Sequence, residues 1–309
     1  MALKFINKDL LVHDEIGRIK VFADRSIRIA NNGYVGKSPK GLATINQKEI
    51  RISANDFYPI CLTEQDRQAI ESANEYPPET PFMIWLKKLK ICEDIVTDTF
   101  YIDRGKDIER ILREQLPDLR TATPEKWVFR DCFWGRVDAY KNEQIYEIKS
   151  VCKTKLSGYF NNDGDWMLNY RHNMPFTLDP TLNKASKWLE TWTTGDNAGK
   201  NKALYFSEKY SSVLMHKYIW QVCLYLWIER KQTGKMIVGI YGLDEWDGKI
   251  LNFTPNSNNT LIFQINQMVD IETKVAYCKQ WYEKYICTGI SPPLTKADLI
   301  WLEKQINNK

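Results

Sequence analysis

Two carboxylates and an amine fall close together in one stretch of this chain. Asp138 ends the run Trp134-Gly135-Arg136-Val137-Asp138, and Glu147 and Lys149 follow in Ile145-Tyr146-Glu147-Ile148-Lys149-Ser150. Both runs read as strands, over 134–140 and 145–151, with Lys141-Asn142-Glu143 as the tight connection between them. Side chains two apart on a strand share a face. Glu147 and Lys149 therefore project together, Tyr146 and Ile148 project oppositely, and the hairpin sets Asp138 beside the first pair. Asp and Glu oxygens suit a hard divalent cation such as Mg²⁺. Such a cation stabilises charge on a reacting phosphate and acidifies an attacking water, and a neighbouring lysine can position that water or stabilise the phosphate. The competing account is a cross-strand ion pair on a solvated surface. An E-x-K triplet alone does not exclude it, because Glu272-Thr273-Lys274 repeats the triplet within a helical pattern.

Two more positions fall where such a site would use them. Glu109, in Arg104-Gly105-Lys106-Asp107-Ile108-Glu109, adds a third carboxylate or is a solvated helix glutamate. Gln221 and Tyr225 sit one turn apart in the apolar run Tyr218-Ile219-Trp220-Gln221-Val222-Cys223-Leu224-Tyr225. An amide in that setting needs a partner, in the core or at a site.

The elements that must position these residues are legible around them. Ile108, Ile111, Leu112 and Leu116 recur at helical spacing, so a helix spans about 103–116 and Pro117 stops it. A strand at 127–130 precedes the hairpin, which makes an antiparallel meander flanked by helices. Further on, a helix over 212–230, strands at 235–243 and 261–265, and helices over 268–287 and 295–306 complete the pattern. Upstream, Thr63 caps a helix that Tyr76-Pro77-Pro78 ends, and Pro81 opens another reaching about Lys90. Residues 1–60 hold β-like runs at Ile19–Phe22 and Ile50–Ile52 and turn signals at Asn31-Asn32-Gly33 and Ser38-Pro39-Lys40-Gly41. They read as a small β-rich appendage of unassigned role beside an α/β domain over 61–309. Within that domain 154–212 is polar and turn-rich, with Lys184, Lys187, Lys200, Lys202 and Lys209 among aromatics. It is a solvated insertion or a lobe that contacts phosphates and bases.

Composition excludes several classes. Of 309 residues 43% are hydrophobic and 27% charged, which is neither disordered nor fibrous. No apolar run approaches the roughly 20 residues of a membrane span, and MALKFINKDL lacks the apolar stretch of a signal peptide. A soluble cytoplasmic chain is the expectation. Seven cysteines, odd in number and without C-x-x-C, signal no zinc site, disulfide framework or iron–sulfur cluster. Reduced, mostly buried thiols are expected. The net charge of +4 permits nucleic-acid binding without demanding it. Binding a polyanion beside clustered carboxylates would need a local balance, with carboxylates at 109, 138 and 147 and lysines at 149–155 and 184–217 drawing it in.

The ordered set Gly105-x-x-x-Glu109, Gly135-x-x-Asp138, Glu147-Ile148-Lys149 and Gln221-x-x-x-Tyr225 resembles the PD-(D/E)XK nuclease superfamily. Within it the set is most similar to the lambda-exonuclease/YqaJ-type viral recombinase branch, near RecB-like nucleases. Arg104-Gly105, the helix Pro81 to Lys88, and Trp281-Tyr282 through Gly289 to Pro292-Pro293 resemble that branch too, so the likeness covers about residues 60 to 300. It implies a restriction-endonuclease-like core, a central mixed sheet flanked by helices. It implies Mg²⁺ or Mn²⁺ held by Glu109, Asp138, Glu147 and the Ile148 carbonyl. Lys149 would activate water, Gln221 would support the site or touch the scissile phosphate, Tyr225 would pack behind it, and Arg104 and Lys153 would contact phosphates. The activity implied is a metal-dependent DNA exonuclease of a phage or mobile element, acting in recombination. A single-strand annealing or recombination protein would be its partner, and some relatives form ring-like homo-oligomers. An endonuclease of a defence or repair system, or a non-catalytic DNA-binding protein on the same fold, are the alternatives. Two departures stand out, and the second leaves polarity and end-specificity open. Gly105 stands where RecB-like relatives often carry histidine, and the span from Lys149 to Gln221 is long.

Overall fold

The computed structural model describes residues 2–30, 50–67, 79–95, 99–152, 176–178, 216–241, 252–256 and 259–307. In chain order its elements are β1 (Ala2–Phe5), β2 (Ile52–Ser53), α1 (Ala54–Cys61), α2 (Pro81–Lys88), β3 (Cys92–Ile95), α3 (Phe100–Gln115), α4 (Pro117–Arg120), β4 (Thr123–Arg130), β5 (Phe133–Lys141), β6 (Gln144–Cys152), β7 (Phe176–Leu178), α5 (His216–Glu229), β8 (Thr233–Tyr241), β9 (Thr260–Asn266), α6 (Ile271–Trp281) and α7 (Lys296–Asn307). The chain forms two compact units. One gathers Met1–Thr97, Asp131–Trp134 and Glu272–Lys309; the other gathers Asp98–Arg130 and Gly135–Ile271. The class is α/β, a mixed sheet flanked by helices, with a small two-stranded N-terminal sheet.

In the first unit β1 pairs antiparallel with β3, Ala2 opposite Ile95 and Phe5 opposite Cys92. The β3 sequence Cys-Glu-Asp-Ile has no strand alternation, so pairing alone makes it a strand. Ile52 and Ser53 lie parallel to Phe133 and Trp134. The run at Ile19–Phe22 is not a strand: Ile19 makes one isolated bridge, to His13. Thr63 caps as its position suggests, its Oγ1 accepting from the Asp66 N–H at 3.1 Å. Thr80 caps α2, with Pro81 in the first turn, and accepts from the Met83 N–H at 3.2 Å while donating to Asp298 at 2.6 Å. Past α6 the helix widens to one π turn over Tyr282–Ile286, where the Cys287 N–H reaches the Tyr282 carbonyl at 3.0 Å.

The second unit holds the meander. Its strands run β5-β6-β8-β9-β7 in space, with β4 beside β5. β5 and β6 are antiparallel, β6 and β8 parallel, and β9 antiparallel to both β8 and β7. Asn142 and Glu143 both take positive φ, 48° and 64°, as a two-residue I′ turn requires, and Lys231 anchors Glu143 at 2.7 Å. β8 is buried nearly throughout, as expected of a strand with neighbours on both edges and helices on both faces. On one face α3 sinks Ile108, Ile111 and Leu112 against Tyr146, Ile148, Ile237 and Tyr241. On the other lies α5, apolar all round and buried from Ile219 through Ile228, as such a helix must be. Pro117 both ends α3 and opens α4. β7 falls within the span read as a polar insertion; the rest of 154–212 lies outside the described residues, as do the turns at 31–33 and 38–41 and the Tyr76-Pro77-Pro78 stop. Among the described residues no helix is long and apolar enough to cross a membrane. Cys61, Cys92, Cys132, Cys223, Cys278 and Cys287 form no disulfide among the described residues; Cys92, Cys223 and Cys278 are buried, Cys61 and Cys132 half-buried, and Cys287 exposed.

Candidate active site

Strand pairing sets up the site by failing. The β5–β6 ladder runs from Lys141↔Gln144 to Ala139↔Tyr146. At the next residue Asp138 does not continue it: its Oδ2 accepts the Ile148 N–H at 2.7 Å. A side chain thus takes the amide, and the two strands open into a fork. Beyond the fork β6 pairs with β8, Glu147 opposite Met236 and Lys149 opposite Val238.

Glu147 and Lys149 share the face turned to α5, as period two requires. Their carboxylate and ammonium are hydrogen-bonded to each other. Glu147 is 1% exposed. Its Oε1 also accepts from Gln221 Nε2 at 2.9 Å, and Gln221 in turn donates to the Tyr225 hydroxyl at 2.7 Å. That hydroxyl donates to the Arg136 carbonyl at 3.1 Å, which ties α5 back to β5. The ring of Tyr225 fits because residue 135 is glycine: a Cβ there would stand 2.1 Å from Tyr225 Cε1. Lys149 Nζ lies 4.9 Å from the ring centre of Tyr218, a distance suited to cation–π attraction.

Charge is crowded here. Burial raises the Glu147 carboxyl to about 8, and the neighbouring charge of Asp138 adds to the rise, against the pull of Lys149. Burial likewise raises Asp138; Lys149 and the Ile148 N–H oppose the shift, and Glu109 adds to it. Burial works against the Lys149 ammonium, but Glu147 and Asp138 outweigh it and hold that group above the ordinary lysine range. Burial holds the Tyr225 phenol well up. At the site, Glu147 Oε2 and Gln221 Oε1 are buried and have no hydrogen-bond partner among the described residues. An orphaned carboxylate oxygen in a low-dielectric pocket is costly unless a cation meets it.

The structure therefore brings Asp138, Glu147, Lys149, Gln221 and Tyr225 together. It treats the other sequence-derived residues differently. Glu109 lies on α3, across the sheet from α5, and its Oε1 is clasped by Arg113 at 2.7 and 3.2 Å. Its charge reaches Asp138 and Glu147 without contact. Ile148 meets the site through its N–H. Arg104 is buried and pairs with Asp107 on its own helix at 3.2 Å. Lys153 lies outside the described residues. Among the described residues no group of three or more His, Cys, Asp and Glu side chains is arranged to hold a metal ion. The donor set still fits a hard divalent cation, with Asp138 and Glu147 side by side and Glu147 Oε2 unclaimed. Arg113 and Tyr218 were not anticipated from sequence. The signals existed, since Arg113 is one turn from Glu109 and Tyr218 is one turn before Gln221.

No family model matches this sequence. MG373, an uncharacterized protein of Mycoplasma genitalium, is 25% identical over 256 residues, which span 73% of this chain and 81% of MG373. Among solved structures, an alkaline exonuclease from Laribacter hongkongensis aligns with 77% of this chain and 91% of its own, at 13% identity and a TM-score of 0.41. The same exonuclease in complex with dAMP aligns with 84% of this chain and 91% of its own, at 12% identity and 0.38. A phage-related exonuclease from Haemophilus somnus aligns with 76% and 93%, at 11% identity and 0.32.

Proposed function

We propose that this chain is a metal-dependent DNA exonuclease of phage or mobile-element type, hydrolysing phosphodiester bonds at the fork between β5 and β6. One observation carries the reading: a buried glutamate, Glu147, keeps one oxygen without a partner beside a second carboxylate, Asp138, and a lysine. A stability role would not retain that set, because a half-satisfied buried network is worse than an apolar core. Asp138 and Glu147 would hold Mg²⁺ or Mn²⁺, with Glu109 completing the set on release from Arg113 and the Ile148 carbonyl as a further ligand. The cation would supply charge stabilisation to the phosphate and acidify a water. Lys149 would orient a water and donate to the phosphate oxygens. Gln221 fixes Glu147 through Oε1 and leaves Oε2 free, and Tyr225 fixes Gln221. The resemblance to the lambda-exonuclease branch adds a recombination role, an annealing or recombination partner, a homo-oligomer and a cytoplasmic setting to the proposal.

The test is purified protein with Mg²⁺ on linear duplexes labelled at either end, beside covalently closed circles and single strands. Linear DNA should be degraded and closed circles left intact. Lys149→Ala and Asp138→Ala should each lower the rate by about 100-fold or more. If both variants degrade linear DNA like the parent, the assignment is wrong. Cut circles would instead make it an endonuclease.

A further inference from the structure

Arg113 stands on α3, one turn after Glu109. Its Nε and Nη2 both donate to the same oxygen, Glu109 Oε1, at 3.2 and 2.7 Å. The pair is half-screened from water, with the Arg113 side chain 20% and the Glu109 side chain 32% exposed. The helix that carries both is seated on the strands of the site. A Cβ on Gly105 would stand 3.1 Å from Ser150 Oγ, next to Lys149 along β6. Ile108 and Leu112 pack in one cluster with Ala139, which follows Asp138, and with Ile148, which lies between Glu147 and Lys149. Arg113 is close enough to Asp138 for its charge to favour the ionised carboxyl, and Glu109 is close enough to oppose it. The charge of Glu109 also reaches Glu147. Three carboxylates, Glu109, Asp138 and Glu147, thus share two cations, Lys149 and Arg113.

Charge-assisted hydrogen bonds are the strong ones. A carboxylate oxygen that accepts two of them has spent its lone pairs and is a poor metal ligand. With Glu109 held in this way, no group of three acidic, histidine or cysteine side chains among the described residues is arranged to hold a metal. A divalent cation would bring two positive charges to carboxylates that already hold two. Lys149 is bonded to Glu147 and has its task at the phosphate, so Arg113 is the cation left to give way. We propose that Arg113 is a latch on the third metal ligand: its guanidinium keeps Glu109 out of the set in the metal-free chain, and so sets how tightly a divalent cation is held. The inference rests on the nuclease reading and adds a positioning residue that acts through Glu109 alone. A ligand that must first leave another partner weakens the apparent affinity by the fraction of time it is free.

The test follows Mn²⁺ uptake by the full chain without DNA, read as loss of the free-ion electron paramagnetic resonance signal. Arg113→Met and Arg113→Gln should each tighten Mn²⁺ binding roughly three- to five-fold. Arg110→Met removes the same charge from α3, where Arg110 is 60% exposed and pairs with Glu114, and should change the affinity less than about 1.5-fold. In a Glu109→Ala background the Arg113→Met gain should shrink to within about 1.5-fold, because no carboxylate is left for Arg113 to hold. Unchanged affinity in both Arg113 variants overturns the latch. Weaker binding overturns it as well, since Arg113 would then orient Glu109 toward the metal. So does an equal gain without Glu109, which would mark a plain charge effect. The two readings fail separately. Mn²⁺ uptake by the parent with no gain in the Arg113 variants sinks the latch alone, whereas no uptake by any of these proteins sinks the metal-dependent reading and the latch with it.

Discussion

Replacing Gly135 by alanine tests whether the fork is held by the contact between β5 and α5. The new Cβ would stand 2.1 Å from Tyr225 Cε1, 2.8 Å from Cδ1 and 3.2 Å from Cζ. Carbon–carbon contact is comfortable near about 3.5 Å, so the ring must retreat by about 1.4 Å. It has nowhere to go cheaply, because Tyr225 is only 2% exposed. A retreat of that size breaks the 3.1 Å bond to the Arg136 carbonyl and strains the 2.7 Å bond from Gln221. Overpacking costs about 1–3 kcal/mol and each lost hydrogen bond about 1 kcal/mol. The expected loss is about 2–4 kcal/mol of unfolding free energy, read as a lower urea midpoint with the slope preserved. Nuclease activity should fall too, since Gln221 would no longer hold Glu147. A double-mutant cycle isolates the contact: in a Tyr225→Leu background the same glycine-to-alanine change should cost less than about 1 kcal/mol. A Gly135→Ala protein as stable as the parent, or an equal cost in both backgrounds, would refute the reasoning.

Other outcomes follow from the same structure. Glu147 is raised to about 8 from an ordinary 4.5, so the folded chain binds a proton more tightly than the unfolded one there. In chelator, stability should fall as pH rises from about 5 to 8, by up to about 1.4 kcal/mol per pH unit. Glu147→Gln should flatten that slope, as urea midpoints across the range would show. In the first unit Asp298 is fully buried and accepts from the Thr80 hydroxyl at 2.6 Å, the Thr295 N–H at 2.9 Å and the Thr295 hydroxyl at 2.7 Å. Asp298→Ala strands those donors and should cost about 3 kcal/mol, with Asp298→Asn losing about half as much; a change below about 1 kcal/mol would count against that network.

Much of the scaffold is legible in the order of residues because its signals are local. The stripe Ile108, Ile111 and Leu112 marks α3 and the side of it that is buried, and Asn142-Glu143 marks the hairpin turn. Period two places Glu147 with Lys149 before any tertiary contact is known. Gln221 and Tyr225 stand out because an amide and a phenol on an otherwise apolar helix must be satisfied by something. The N-terminal pairing of Ala2–Phe5 with Cys92–Ile95 was not legible, since strand partners some ninety positions apart are chosen by packing and not by local pattern.

At the site the division is sharper. Residue types and spacing by themselves determined that two carboxylates, an amine and an amide could meet on one sheet. Tertiary structure decided how they meet. The ladder stops at Ala139 because Asp138 captures the Ile148 amide. Glu109 turns to Arg113, a residue of its own helix, because a guanidinium one turn away offers it the opposite charge. Glu147 ends with one oxygen bound and one bare because α5 presents a single amide to it. Periodicity sets which face a side chain leaves from. Which partner it reaches depends on where a strand ends, how close a helix comes and which charges burial has left uncompensated.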